Sequence, residues 1–156
     1  MQNRSRPFAA LSLALASSTL LVGVGAPAGA GETTRVTVTI TELRNAKGVV
    51  RACMTDDPEL FPKCRDDAAS HRKVVPAAET LTLTFENVKP GRYAIALLHD
   101  ENDNGKADRA LLLMPKEGFG FSLDAKVRMG PPSFKSAAFE VGAQPVKQAI
   151  RMRYML

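Results

Sequence analysis

The feature that most constrains this chain is a hydrophobic repeat of two rather than 3.6. Val36, Val38 and Ile40 alternate with Thr37, Thr39 and Thr41, so one side of an extended segment faces a core while the threonines face water. Leu81, Leu83 and Phe85 repeat the pattern against Thr80, Thr82 and Thr84, and Ile150, Met152 and Tyr154 repeat it against Arg151 and Arg153. A helix cannot sort these residues onto one face; a strand does so automatically. Tyr93 to Leu98 is apolar throughout, which predicts a central strand covered on both faces. Lys89-Pro90-Gly91 has turn chemistry, so Thr80–Val88 and Arg92–His99 are predicted to form a hairpin.

Gly48 to Met54 and Ala137 to Val141 are weaker strand candidates, and Asp108 to Met114 fits neither a strand nor a helix cleanly. About seven short strands separated by turns predict an all-β, antiparallel, seven-stranded Greek-key β-sandwich, immunoglobulin-like or transthyretin-like. The glycine-rich stretch from Pro115 to Pro132 is long for a connection and carries Phe119 and Phe121. Ordered loops of that length on a sandwich are where binding tends to reside, which makes these two aromatics the candidate ligand contacts.

Residues 1–30 read as a signal peptide and 31–156 as one domain. Arg4 and Arg6 precede an apolar run from Phe8 to Val24, and Ala28-Gly29-Ala30 has the form accepted at a cleavage site. An uncleaved anchor is the alternative, because the run approaches the length a bilayer requires. Export implies a periplasmic or secreted protein, and no later segment is long and apolar enough to span a membrane. Cys53 and Cys64 are the only cysteines; in an oxidising compartment they pair, with free thiols or a soft-metal site as alternatives. The formal charge of +5 falls by two once Arg4 and Arg6 leave. The other Lys and Arg residues are dispersed, without the runs that a nucleic-acid or membrane patch uses, so nucleic acid is not an expected partner.

His99 to Asp108 carries the strongest chemical pattern. Counting Asp100 as the first position, Asp100, Asn102, Asn104 and Asp108 place side-chain oxygens at alternating positions, Gly105 allows the sharp turn, and Lys106 offers a backbone carbonyl. That is the front half of a calcium loop, which makes Ca²⁺ the one candidate cofactor. The twelfth position is Leu111, not the bidentate glutamate of a full loop, and affinity is expected near about 10⁻⁴ to 10⁻³ M. Asn104-Gly105 is also a sufficient hairpin signal in its own right. His99 with Asp100, Glu101 or Asp103 could serve a small hydrolase or transferase, but no nucleophile elbow, metal-protease motif, phosphate loop or dinucleotide fingerprint accompanies it.

Gly91-Arg92-Tyr93-Ala94-Ile95-Ala96, His99-Asp100-Glu101-Asn102 with Asn104-Gly105-Lys106, Pro115 through Ser122 and Gly130-Pro131-Pro132-Ser133-Phe134 together resemble the bacterial domain of unknown function 2141 family, over roughly Val36 to Tyr154. The resemblance implies an exported bacterial protein and confers no reaction. At fold level the chain is similar to prealbumin-like sandwiches. A transthyretin-related hydroxyisourate hydrolase is not implied, since its histidine set and C-terminal motif are missing from a chain ending Arg153-Tyr154-Met155-Leu156. The reading is therefore a non-enzymatic exported domain that binds an unknown envelope or extracellular ligand or protein through its loops. The hydrolase and an envelope-structural or assembly role are the alternatives.

Overall fold

The computed structural model describes residues 32–64, 67–110 and 114–156. The signal-peptide reading and the twelfth loop position, Leu111, lie outside these residues. Among the described residues eight strands form two facing sheets with one short α-helix: β1 (Thr34–Thr41), β2 (Val49–Thr55), β3 (His71–Pro76), β4 (Leu81–Val88), β5 (Gly91–Asp100), β6 (Gly118–Phe121), α1 (Phe134–Ala137), β7 (Phe139–Val141) and β8 (Val146–Arg151). One sheet has the order β4-β1-β8; the other runs β3-β2-β5-β6, with β7 also pairing to β5.

The period-two segments build the main core. Val36, Val38 and Ile40 from β1 and Leu83 and Phe85 from β4 pack against Val50, Ala52 and Met54 from β2 and Ile95 and Leu97 from β5. On β5 the alternate residues Ala94 and Ala96 face the other way, into a second cluster with Phe61, Phe121, Ala125 and Ala137. That two-sided cover is why the run from Tyr93 to Leu98 contains no polar residue.

The expected hairpin between Thr80–Val88 and Arg92–His99 does not form. β4 pairs with β1, whereas β5 pairs with β2, β6 and β7, so Lys89-Pro90 carries the chain from one sheet to the other. The physical reason is that β5, apolar on both faces, is accommodated at the centre of the larger sheet, while one-sided β4 fits at an edge of the smaller one. β3, which carried no alternation, is an edge strand with mostly exposed side chains. One pairing departs from the antiparallel pattern: β1 and β8, the first and last strands, run parallel.

The C-terminal alternation continues past β8 by changing sheets. Met152 N–H donates to Thr41 O in the smaller sheet (2.9 Å), and Arg153 exchanges backbone hydrogen bonds with Phe119 in the larger one (2.9 and 2.8 Å). Four residues of the stretch from Pro115 to Pro132 are thus strand, not loop. Cys53 and Cys64 are disulfide-bonded with their Cα atoms 6.3 Å apart, tying the segment after β2 back to that strand.

Candidate functional site

The end of β5 delivers His99 and Asp100 to one end of the sandwich, both fully buried. Asp100 Oδ1 accepts from Asn104 N (3.0 Å), and Oδ2 accepts from Gly105 N (2.8 Å) and from Arg51 Nε (2.6 Å). Arg51 also reaches Asp103 Oδ1 through Nη2 at 2.6 Å. Burial pushes the Asp100 carboxyl up, but the Arg51 guanidinium and the two amides outweigh it and hold the group below its ordinary value. Gly48 closes this corner at φ +64°, and a Cβ there would overlap the Asp100 carbonyl; a side chain is excluded on both counts.

The predicted calcium ligands do gather. Asn102 Nδ2 donates to Asp108 Oδ2 (2.9 Å), and Asn104 Nδ2 donates to both Asp108 oxygens (3.1 and 3.0 Å). Their amide oxygens accept from Asn104 N and Lys106 N, and the side chain of Lys106 is exposed. The loop is thus curled by its own Asx turns around Asp100, with the Arg51 guanidinium as the positive charge nearest its first carboxylate.

A second polar network adjoins it. His99 Nδ1 bonds the Tyr154 hydroxyl (2.7 Å) and Nε2 bonds Lys47 O (2.8 Å). Arg44 grips Glu101 with two hydrogen bonds of 2.7 Å, donates to Lys116 O and Leu156 O and lies 4.6 Å over the Tyr154 ring. Those bonds to Arg44 hold the Glu101 carboxyl at about 2. Glu117 is nearly as buried as Asp100; burial raises its carboxyl, with Asp100 and Asp108 adding repulsion against the bond from Asp108 N. Gly118 is obligatory here because a Cβ would enter the Tyr154 ring.

With both ring nitrogens bonded and 0% of its surface exposed, His99 locks the C-terminal segment onto β5 and has no free nitrogen to exchange a proton with a substrate. Asp100, Glu101 and Asp103, its proposed partners, are committed to Arg51 and Arg44. Arg44, Arg51 and Tyr154 were missed in the sequence because their partners lie dozens of residues away, and Glu117 because its partner is a backbone amide, which no residue type announces.

The predicted aromatics separate. Phe121 is buried in the second cluster, its ring edge-on to Phe61 at 5.9 Å. Phe119 is half-buried and borders a cleft of about 340 Å³ shared with Lys126, Val127, Arg128, Tyr154 and Met155. A second cleft of about 590 Å³ opens beside it, walled by Lys126, Arg128, Met129, Pro131, Pro132 and Ser133. Lys126 and Arg128 border both clefts, and among the described residues no carboxylate lines either. The sequence signal was available: no Asp or Glu occurs from Ala125 through Phe139.

A family model described as an uncharacterised protein conserved in bacteria (DUF2141) matches residues 38–149. The chain belongs to this family. The match spans the sandwich from β1 into β8 and includes both the Asp100–Asp108 loop and the Lys126–Arg128 ridge of this DUF2141 domain. Neither a curated protein nor a solved structure matches it. The disulfide of the DUF2141 domain is consistent with an extracytoplasmic location, and no helix among the described residues is long and apolar enough to cross a membrane.

Proposed function

We propose that this DUF2141 member is an exported, non-enzymatic β-sandwich that binds an anionic ligand or partner through its surface loops, at the two clefts divided by Lys126 and Arg128. The observation that carries the reading is that two basic side chains wall both clefts with no carboxylate among the lining residues. Clefts of this size fall within the range used for small-ligand binding, and the rigid sheets beneath hold the loop in place. The N-terminal apolar segment and the disulfide support export to the periplasm or beyond. Amide chemical shifts recorded during an inorganic phosphate titration test it. Movement concentrated at residues 125–136, and lost in Lys126→Gln/Arg128→Gln, is expected; an unperturbed loop overturns the reading.

Weak Ca²⁺ binding at Asp100, Asn102, Asn104, Lys106 and Asp108 is a second reading, favoured by the tight curl already imposed by the amides of Asn104 and Gly105 on Asp100. Arg51 competes for the same carboxylate, which places the affinity at the weak end of the range for such loops. Millimolar Ca²⁺ is expected to raise the thermal midpoint, and more so in Asp103→Asn, which loosens Arg51 without emptying the loop. A midpoint that ignores Ca²⁺ in both proteins reduces the loop to a turn.

A further inference from the structure

We infer that the Lys126–Arg128 ridge docks the protein on an anionic phospholipid bilayer, an inference that rests on the cleft reading above and names its partner. Charge is the first argument. From Ala125 to the C terminus the bases are Lys126, Arg128, Lys135, Lys147, Arg151 and Arg153, against the single acid Glu140. Arg151 and Arg153 are drawn to Asp124 at 2.8 and 3.9 Å. Lys126 and Arg128 make no salt bridge among the described residues, so their charge is free to meet an outside anion.

The second argument is what stands beside those charges. Met129 follows Arg128 at full exposure, 105% of its reference surface, and Met155, 42% exposed, lines the same cleft as Lys126. Leu123 projects into water at 54% exposure from a backbone at φ 58°, with Asp124 following at φ 48°. Branched or bulky L-residues rarely adopt that region. Here Asp124 is pinned by the Arg151 backbone and side chain at 3.0 and 2.8 Å, which keeps the turn in place. A dissolved anion meets Lys126 and Arg128 one at a time and is held weakly, whereas a bilayer presents many phosphates to both at once. Bases interleaved with protruding apolar side chains suit a bilayer face, where phosphates accept from Lys and Arg while the apolar groups enter the headgroup region.

Vesicle co-sedimentation tests the inference, using the protein as the expressing cell leaves it and phosphatidylcholine vesicles with and without phosphatidylglycerol. Binding is expected to rise with phosphatidylglycerol and to fall with added salt. Lys126→Gln/Arg128→Gln is expected to lower affinity for the anionic vesicles on the order of thirty-fold, and Met129→Ser to weaken it further. The phosphatidylcholine arm reads any contribution from the N-terminal apolar segment, which the variants share. Equal binding of wild type and the Gln variant, or no dependence on phosphatidylglycerol, overturns the inference. If residues 125–136 respond to inorganic phosphate while anionic vesicles do not bind, the cleft reading survives and the bilayer does not. If neither probe responds, both fall.

Discussion

The Asp100–Asp108 end and the Lys126–Arg128 ridge are both charged loops on the same sandwich, and they spend that charge in opposite ways. At the first, the carboxylates are answered from inside the chain: buried Asp100 by Arg51 and two amides, partly buried Glu101 by Arg44, buried Glu117 by the amide of Asp108. At the second, two bases and a fully exposed methionine have no comparable partners among the described residues. The acid-rich sequence announces itself as a site, yet its carboxylates accept hydrogen bonds from within the fold. The inconspicuous basic segment is the one whose charges stay unpaired among the described residues. A motif's chemistry is available to a ligand only to the extent that the fold has not already used it.

Asp100→Ala is expected to break the comparison most severely. It leaves Arg51 and two amides without their acceptor and should lower stability by about 3 kcal/mol, read from the urea midpoint at unchanged slope. A loss below about 1 kcal/mol would mean that the acidic end is not a fastening. Replacing both Cys53 and Cys64 by Ser should cost about 2–3 kcal/mol, visible as a lower thermal midpoint that reductant no longer shifts.

Glu101 and Glu117 sharpen the contrast inside the acidic end through pH. Glu101 is held at about 2, so its contribution is complete above its ordinary value near 4.5 and is lost as pH falls through about 2. Glu117 is raised by burial; its contribution is complete below its ordinary value and is lost as pH rises through the elevated one. Glu101→Gln is therefore expected to be less stable at neutral pH with a shallower acid decline. Glu117→Gln should be equal to or more stable than wild type there. Denaturant midpoints measured from pH 2 to 7 distinguish them, and parallel curves would refute the assignment. The smallest effect belongs to Lys126→Gln/Arg128→Gln, which should change stability by less than about 0.5 kcal/mol. A larger loss would show that the ridge is a structural element.

The sandwich was legible because strand periodicity is local: Val36, Val38 and Ile40, or Leu81, Leu83 and Phe85, reveal their buried face within a few residues. The path of the chain between sheets was not. Lys89-Pro90-Gly91 has the chemistry of a turn whether the chain reverses within one sheet or crosses to the other, and only the competition for β5's two faces decides. β3 was hidden because it is an edge strand that only half-buries His71 and Val75, too little to impose an alternation. The curl of the acidic loop was readable from Asp100, Asn104 and Gly105. Arg51 and Arg44 were not, since nothing within a few residues of either points to a carboxylate about fifty positions away.

The parallel pairing of β1 with β8, followed by the handover of Met152 and Arg153 from one sheet to the other, has a temporal consequence. Synthesis supplies β1 first, yet its second edge stays bare until the final strand has emerged, and those last residues also join the two layers. A polypeptide still threading through a ribosome or a translocation channel therefore lacks the piece that closes it. Until that piece is in place, the second edge of β1 and the junction between the two layers stay unmade.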